Sequence, residues 1–442
     1  MHKNILVLGA GRSASVLISY LLKQAEQYAW KITVADVALQ QAQAQVSNHP
    51  CGEALLFSIH DATNAPGVIA QADVVISLLP AHLHPLVASL CLTAGKPLLT
   101  ASYVSDEMKL FDTEARQKNI LLLNECGLDP GIDHMSAMQV MDRIRQAGGE
   151  LTSFESFTGG LIAPETDPLN PWRYKFTWNP RNVVMAGQGT AKFIQDNHFK
   201  YVPYQQLFLR TTPVHVPGFG DYEGYANRDS LKYQRTYQLE NIQTLVRGTL
   251  RNKGFCSAWN VLVQLGCCDD SYKMENVNTM THAGFVQSFL SGLHPAVEEI
   301  CQRFQVLPDG EEIKRLVWSG LFSEEPVGLD AGTPAQVLEH ILNKRWRLSP
   351  GDKDFIVMWH RFKYLQKGKV KQVEAYLTAT GSNEVQTAMA QTVGLPLGIA
   401  AKLLVQGKLK ATGVVIPVTP EFYEPILAEL ATFGIALKET EA

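Results

Sequence analysis

The first 36 residues are the feature that most restricts what this chain can fold into. The apolar run 5–8 leads directly into a turn, 9–14, with the sequence Gly-Ala-Gly-Arg-Ser-Ala, and a helix-like segment, 16–22, follows. A second apolar run, 32–35, ends in Asp36. This order of strand, glycine-rich turn, helix, strand and acidic residue is the G-x-G-x-x-A form of the dinucleotide-binding fingerprint.

Each position of the fingerprint has a physical role. Gly9 allows the tight turn, Gly11 lets the backbone approach a pyrophosphate, and Ala14 keeps the helix close to the strand. The helix N-terminus offers N–H groups to the phosphates. The sequence therefore predicts cofactor contacts at Gly9, Ala10, Gly11, Arg12, Ser13 and Asp36. The alternative is a glycine-rich turn in an α/β protein that binds no nucleotide.

Asp36 bears on the identity of the cofactor. Its carboxylate can accept hydrogen bonds from a ribose 2′-hydroxyl, whereas it would repel a 2′-phosphate. The sequence therefore favours NAD. NADP remains possible because Arg12, in the turn, could lie near a 2′-phosphate.

The bulk properties of the chain narrow its function class. Its 442 residues suffice for two or three domains, and its net charge of −4 predicts neither nucleic acid nor a membrane as partner. No apolar run reaches the ~20 residues of a membrane span. Since the chain enters almost directly into its first strand, we expect no signal or transit peptide. The seven cysteines show no zinc spacing, so we expect no metal site and a cytoplasmic enzyme with reduced thiols. A homodimer is the expected oligomer.

The order of apolar patterns predicts the architecture. Continuous apolar runs alternate with helical segments up to about residue 125, then alternating strands and loops follow residue 149, and helical periodicity dominates from about 255 to 360. We therefore predict an α/β fold, with a Rossmann-type doubly wound parallel sheet plus an α+β catalytic domain with a helical insertion. The predicted domains are 1–130 (dinucleotide-binding), 131–260 with 361–395 (substrate and catalysis), 261–360 (helical) and 396–442 (returning towards the first domain).

Eight motifs in a defined order carry a resemblance to a known family. They are ILVLGAG, VVISLLP, LLTASYVS, NECGLDPGIDH, TGGLIAPE, YKFTW, YANRDS and VRGTLR. With them the chain resembles, nearly from end to end, the saccharopine dehydrogenases of the L-glutamate-forming type. The resemblance implies a reversible reaction of lysine metabolism, in which saccharopine, water and NAD(P)⁺ give L-glutamate, 2-aminoadipate 6-semialdehyde and NAD(P)H.

The resemblance also assigns roles to individual residues. It implies substrate contacts at Ser102, Tyr103, Asp129, Arg228, Thr249, Leu250 and Arg251. It implies further cofactor contacts at Ser58, Ile59, Leu79, Ala101, Ser102, Leu128, Asp129, Pro130 and Thr177. In two places the chain departs from relatives. Asp36 stands where NADP-using relatives carry an arginine-containing turn, and Thr158 stands where a fungal relative has cysteine. A threonine hydroxyl hardly ionises near neutral pH, so Thr158 is not expected to carry the chemistry.

The chemistry of saccharopine suits these residue types. It is a secondary amine with three carboxylates, and arginines such as Arg228 and Arg251 bind carboxylates through two hydrogen bonds. Tyr103 and Asp129 are the predicted acid and base. A surface ion pair for each arginine, and a turn residue at Asp129, are the plain structural alternatives. Two other functions stay open: an imine-reducing dehydrogenase of the carboxynorspermidine type, whose polycationic substrate the arginines suit less well, and a non-catalytic NAD-sensing module.

Overall fold

The computed structural model describes residues 3–186 and 188–441, which form two compact units. The first unit comprises the residues up to Gly149 together with Val385–Lys438. The second comprises Glu150–Glu384 and the residues that follow Lys438. The chain therefore leaves the first unit once and returns to it near its end.

Strands and helices alternate along the first unit, as the apolar runs of the sequence require. In chain order they are β1 (Asn4–Leu8), α1 (Ser15–Tyr28), β2 (Lys31–Asp36), α2 (Leu39–Val46), β3 (Gly52–Leu56), α3 (Ala65–Ala70), β4 (Val74–Ser77), α4 (His84–Ala94), β5 (Leu98–Thr100), α5 (Asp106–Lys109), α6 (Asp112–Gln117), β6 (Leu121–Leu123) and α7 (Ile132–Gln146). Short 3₁₀ turns, Arg12–Ala14 and Ala81–Leu83, precede α1 and α4.

The second unit begins with a long strand, and its strands and helices lie in separate stretches of the chain. Its elements are β7 (Glu150–Ile162), α8 (Pro180–Val184), β8 (Ala191–Gln195), β9 (His198–Val202), α9 (Tyr204–Leu207), β10 (Thr211–Val216), β11 (Gly220–Ala226), β12 (Thr244–Asn252), α10 (Phe255–Leu265), α11 (His282–Gln287), α12 (Ala296–Phe304), α13 (Glu311–Trp318), α14 (Pro334–Trp346), β13 (Asp354–Gln366) and β14 (Lys369–Thr380). The chain then returns with α15 (Ala388–Val405), β15 (Gly413–Val415) and α16 (Pro420–Thr432), and ends in β16 (Lys438–Glu441).

A parallel sheet is the centre of the first unit. Within the described residues it has seven strands, in the order β15-β6-β5-β4-β1-β2-β3. The side chains of β1 and β4 are almost entirely buried, as expected for strands covered by helices on both faces. β1 pairs with both β2 and β4, so the direction of winding reverses beside β1. In such sheets the ligand crevice lies at the carboxyl ends of the strands, at this reversal point.

Helix α15 packs closely on α1 through two glycines. A Cβ on Gly394 would lie 2.9 Å from the backbone nitrogen of Leu17, and a Cβ on Gly398 would lie 2.6 Å from the ring of Tyr20. By length and composition alone, this 18-residue helix could cross a membrane, and 67% of it is buried inside the structure. Its packing against α1 accounts for its apolar character as a core helix.

A mixed sheet forms the framework of the second unit. Among the residues described, nine strands belong to it: β10-β11-β12-β7-β13-β14-β16 in order, with β8 beside β12 and β9 beside β8. β12 runs parallel to β7, and β13 runs antiparallel to both β7 and β14. Helices α10 to α14 lie between β12 and β13 in the chain, and their buried aromatic side chains include Trp259 and Trp346. The rings of Trp172 and Tyr174 each lie 5.1 Å from that of Trp346, measured between centroids.

The structure confirms the predicted fold class, with its doubly wound parallel sheet and its α+β part with a helical insertion. The prediction of helix up to residue 360 is wrong, because the helices end at Trp346 and β13 begins at Asp354. The first seven residues of β13 are all buried, so they lack the alternation that identifies a half-buried strand. The predicted division into four domains stays a prediction.

Residues 131–149 lie in the first compact unit, where Tyr423 of α16 donates a hydrogen bond to Asp142 of α7 (2.9 Å).

Candidate active site

The glycine-rich turn lies at the carboxyl edge of the parallel sheet. Gly9 has a φ of +100°, and a Cβ there would lie 3.3 Å from the carbonyl of Leu78, so a larger residue would be strained. Nothing lies within 4 Å of a Cβ built on Gly11, so the backbone there faces open space. The Arg12–Ala14 turn then leads into α1. The side chain of Arg12 lies outside the described residues.

The Asp36 carboxylate is held against this turn. Its Oδ2 accepts a hydrogen bond from the backbone N–H of Ala10 (2.7 Å), and its Oδ1 accepts one from that of Ala38 (2.8 Å). Both bonds fix a negative charge beside the turn, at the end of β2. A dinucleotide needs open backbone at its pyrophosphate, which Gly11 provides, and an acceptor for its ribose hydroxyls, which Asp36 provides. The residues present therefore fit the predicted cofactor.

The other cofactor candidates of the first unit follow neighbouring strands. Ser58 and Ile59 follow β3, Leu79 follows β4, Ala101 and Ser102 follow β5, and Leu128, Asp129 and Pro130 follow β6. Because all these strands are parallel, their carboxyl ends lie along one edge of the sheet. The side chains of Ile59 and Leu128 are buried, so only their backbones could meet a ligand.

Tyr103 and Asp129 meet at this edge, although they follow different strands. The Tyr103 hydroxyl donates a hydrogen bond to Oδ1 of Asp129 (3.1 Å), and both residues are half-buried. A half-buried tyrosine–carboxylate pair retains access to a ligand, and its two groups can hold and transfer a proton. The structure thus brings together the two residues that were predicted as acid and base.

The buried carboxylate of Glu125 holds the loop that carries Tyr103. Oε1 of Glu125 accepts a hydrogen bond from the backbone N–H of Val104 (3.0 Å), and its Oε2 lies 2.8 Å from Nε2 of His134. Asp133 accepts a hydrogen bond from the N–H of Gly131 (2.6 Å). These contacts brace the loops that carry Tyr103 and Asp129. The motif NECGLDPGIDH contained Glu125 and His134, but only the structure shows that Glu125 reaches the loop after β5.

The Ser102 side chain has a separate buried partner. Its Oγ lies 2.8 Å from Nε2 of His84, the first residue of α4. After β4, Leu79 was predicted as a contact residue, but neither His82 nor His84 was. A pair of histidines at a helix start is the signal in the sequence, but it does not reveal which one points inward.

Arg251 is the most unusual predicted substrate residue of the second unit. Its side chain is 4% exposed, and its guanidinium carbon lies 5.0 Å from the ring centroid of Tyr174 and 5.2 Å from that of Phe255. Nη1 donates to the carbonyl of Leu250 (2.9 Å), whereas Nε has no hydrogen-bond partner. Within the described residues, Arg251 forms no ion pair with a carboxylate. The cation is therefore buried among aromatic rings without a counter-charge.

Unpartnered hydroxyls accompany Arg251 in the second unit. Thr158 of β7 lies opposite Thr249 of β12 in register, and its buried Oγ1 has no hydrogen-bond partner among the described residues. The same is true of Oγ1 of Thr177, a predicted cofactor residue. Asn227, which the sequence reasoning did not single out, donates weakly to Oγ1 of Thr249 (3.4 Å).

The remaining two substrate candidates differ in exposure. The side chain of Leu250 is fully buried, so a ligand could reach only its backbone. Arg228, after β11, is exposed and has a positive φ of 55°, and its carbonyl accepts a hydrogen bond from Lys192 (2.8 Å). The substrate candidates thus divide into Ser102, Tyr103 and Asp129 in the first unit and Arg228, Thr249, Leu250 and Arg251 in the second.

Two family models match the chain. Residues 5–123 match the saccharopine dehydrogenase NADP binding domain, and residues 127–435 match the saccharopine dehydrogenase C-terminal domain. Together the two matches cover nearly the whole chain.

Curated relatives are similar over the full length. The chain is 32% identical to the saccharopine dehydrogenase [NADP(+), L-glutamate-forming] of Saccharomyces cerevisiae, over 99% of both chains. It is 30% identical to the protein of the same name from Schizosaccharomyces pombe, over 99% of this chain and 98% of the relative. It is also 33% identical to the mitochondrial alpha-aminoadipic semialdehyde synthase of Bos taurus, of which it covers 47%.

A solved structure has the same architecture throughout. Apo histidine-tagged saccharopine dehydrogenase (L-Glu forming) from Saccharomyces cerevisiae superposes with a TM-score of 0.89, 31% identity and full coverage of both chains. The similarity therefore extends to both compact units.

Proposed function

Because the chain belongs to the saccharopine dehydrogenase family, we propose that it catalyses the reversible, pyridine-nucleotide-dependent conversion of saccharopine and water to L-glutamate and 2-aminoadipate 6-semialdehyde. The observation that carries this proposal is the full-length similarity to two L-glutamate-forming saccharopine dehydrogenases. The reaction is an oxidation at a carbon–nitrogen bond and belongs to lysine metabolism. The pair of Tyr103 and Asp129 and the buried Arg251 support it, because they match the proton transfers and the carboxylates that the substrate requires.

The first unit would bind the nucleotide, which supplies the hydride chemistry when bound. The backbone of the turn 9–13 and the start of α1 would hold the pyrophosphate, since Gly11 leaves the backbone open. Asp36 would receive the ribose hydroxyls at the end of β2.

Tyr103 and Asp129 would handle the protons of the reaction. Cleavage of the substrate's carbon–nitrogen bond by water requires that one proton leave the water and another reach the nitrogen. Asp129 is the group we assign as base towards the water, and Tyr103, which donates to its Oδ1, orients the carboxylate and returns a proton. Glu125 contributes by holding the backbone of Val104, next to Tyr103.

The second unit would bind carboxylates of saccharopine through its arginines. A buried guanidinium without a counter-charge is a strong carboxylate receptor, because the ligand provides the missing charge in a place shielded from water. Arg251 has this character, with Nε available for a hydrogen bond. Arg228 is exposed and would add a second cation.

NAD is the nucleotide that we propose for this chain. The carboxylate of Asp36 is fixed by Ala10 and Ala38, so it cannot turn away from a 2′-phosphate without losing both hydrogen bonds. The names of the two fungal relatives specify NADP(+), so this chain would differ from them in its preferred cofactor.

The decisive experiment follows absorbance at the NAD(P)H band with purified protein, saccharopine and either NAD⁺ or NADP⁺, with glutamate measured as the product. Turnover with release of glutamate is the expected result, and it should be faster with NAD⁺. Absence of turnover with both nucleotides, while NADH binds, would contradict the proposal. Carboxynorspermidine would then be tested as substrate, and binding without turnover of either compound would indicate a nucleotide-sensing module.

A further inference from the structure

His84 lies in a buried cluster of hydroxyl groups behind the predicted site. The residue is 3% exposed, and its Nδ1 lies 3.1 Å from Oγ of Ser77, at the end of β4. Its Nε2 lies 2.8 Å from Oγ of Ser102 and 3.0 Å from Oγ1 of Thr100, at and beyond the end of β5. One imidazole thus links two adjacent strand ends through both of its ring nitrogens.

The ring is neutral under ordinary conditions. Burial lowers the pKa of His84 to about 4, and the charge of nearby His82 acts in the same direction. A neutral imidazole has one nitrogen that donates and one that accepts, so it holds its partners in defined positions without adding charge to the site.

Two hydrogen bonds hold the backbone around Ser102 without His84, whereas a third, from the N–H of Ser102 to Oγ1 of Thr100 (3.3 Å), ends on a hydroxyl that His84 also contacts. The carbonyl of Ser102 accepts a hydrogen bond from the N–H of Glu125 (3.1 Å), and the N–H of Val104 is bound by the Glu125 carboxylate. The path of the loop therefore does not depend on the imidazole alone. What the imidazole controls is the direction of the Ser102 hydroxyl, which is half-buried and so within reach of a ligand.

We infer that His84 is a positioning residue, which aims the Ser102 hydroxyl at a polar group of the bound ligand. It touches neither substrate nor cofactor and acts through Ser102. This inference rests on the proposed function for the assignment of Ser102, which was predicted to contact both substrate and nucleotide. If Nε2 donates, the Ser102 hydroxyl can still donate its own proton to the ligand. If Nε2 accepts that proton, the oxygen lone pairs of Ser102 remain available to a ligand donor.

A double-mutant cycle on the full-length protein tests this inference. The variants are Ser102→Ala, His84→Leu and the combination, and the quantities are kcat/KM for saccharopine and the dissociation constant of NADH. We expect each single variant to lower kcat/KM for saccharopine, or to raise the dissociation constant of NADH, by about tenfold. The double variant should show the same change as Ser102→Ala alone. If the fold-change of the double variant equalled the product of the two single fold-changes, the inference would be overturned. Unchanged kinetics in folded His84→Leu would overturn it too.

Two further variants separate positioning from loss of structure. His84→Gln keeps a hydrogen-bonding group near Ser102 and is expected to restore most of the kinetics. Ser77→Ala removes the other contact of the ring, and it should lower the melting temperature with little effect on kcat/KM. If Ser77→Ala impaired the kinetics as strongly as His84→Leu, the cluster would be merely structural. If wild-type protein does not turn over saccharopine, the proposed function fails, whereas the cycle on NADH binding still decides the role of His84.

Discussion

At the scale of one residue, Arg251 is a buried cation that lowers stability and is best explained by function. Its guanidinium is buried against Tyr174 and Phe255, and within the described residues no carboxylate forms an ion pair with it. Removing a cation from water has a large free-energy cost, which aromatic rings repay only in part. A side chain kept for packing alone would more simply be apolar. The position therefore argues for a ligand that brings negative charge.

The substitution Arg251→Met should separate these two properties. We expect KM for saccharopine to rise by about 10- to 100-fold, as for loss of a charge-assisted hydrogen bond of roughly 1.5–3 kcal/mol, while KM for NAD⁺ stays the same. The melting temperature should rise, because the desolvated charge is gone. Kinetics and thermal unfolding measure the two effects.

Arg315 provides a matched control for that substitution. It is also a buried arginine of the second unit, but it forms an ion pair with Glu311 (3.5 Å). Arg315→Met should leave KM for saccharopine unchanged. A similar rise of KM in both variants would mean that any buried arginine of this unit affects the site indirectly.

Asp36 should govern the choice of nucleotide. In Asp36→Ser, the ratio of kcat/KM for NADP⁺ to that for NAD⁺ should rise by at least about tenfold, because repulsion between two charges near a protein surface is worth roughly 1–4 kcal/mol. Asp73→Asn is the control. It removes an equal charge at the opposite edge of the sheet, where Asp73 accepts a hydrogen bond from the N–H of Asn4 (2.8 Å). An unchanged ratio in Asp36→Ser would contradict the role of the carboxylate.

His84 should also appear in the dependence of stability on pH. Burial lowers the pKa of His84 from its ordinary value of 6.5 to about 4 in the folded protein, so between these pH values the unfolded chain binds more protons. Stability therefore increases with pH through this window and reaches its full value above about 6.5, with a contribution of up to roughly 3 kcal/mol. Urea unfolding between pH 4.5 and 7.5, measured at about half-unit steps, should show a shallower slope for His84→Gln than for wild type. His82→Ala removes only the smaller of the two causes that lower the pKa of His84, so its slope should lie between those of wild type and His84→Gln and closer to wild type. A slope for His84→Gln equal to that of wild type would refute the assignment.

At the scale of elements, local patterns identified most helices and strands but not all of their boundaries. The helix-like segment 16–22 lies within α1, and the strand-like runs 5–8 and 32–35 lie within β1 and β2, because the signals involved are local. β13 was missed because burial on both faces removes the alternation of apolar and polar residues. The supporting contacts of Glu125 and His84 could not be predicted either. They depend on how neighbouring strands align, which no local pattern reveals.

The contact between α1 and α15 provides a prediction at this scale. Gly394→Ala places a Cβ 2.9 Å from the backbone of Leu17, whereas Gly67→Ala, also within a helix, meets nothing within 4 Å. We expect Gly394→Ala to lower the free energy of unfolding by about 1–3 kcal/mol through overpacking. Gly67→Ala should leave it unchanged or raise it by about 0.5–1 kcal/mol, the difference in helix propensity. Denaturant unfolding of both variants measures the difference. Equal free energies of unfolding in the two variants would show that α1 and α15 accommodate the extra methyl group at little free-energy cost.

At the scale of the whole molecule, the sequence order and the compact units do not coincide. The alternation up to residue 125 predicted the parallel sheet, but β15 joins that sheet beside β6 from nearly 300 residues away. Only a non-local pairing places it there, so the alternation could not include it. The candidate residues have the same property, because some follow the ends of several strands in the first unit and others lie in or after β11 and β12 of the second unit. The resemblance to a family named them, while periodicity alone identified only the glycine turn and Asp36.

The discontinuous first unit leads to a test of folding. A fragment of residues 1–149 lacks α15, which covers Leu17 and Tyr20 of α1, and lacks β15, which pairs with β6. We expect this fragment to aggregate or to unfold without cooperativity, because it exposes an apolar helix face and a sheet edge. Joining 149 to 385–438 through a flexible linker of about 15 residues should restore a cooperative thermal transition and binding of NADH. A cooperative transition at the same temperature in the short fragment would mean that the returning segment adds nothing to the stability of the parallel sheet. Cooperative folding of the linked fragment without NADH binding would instead show that the unit folds alone but needs the rest of the chain to bind the nucleotide.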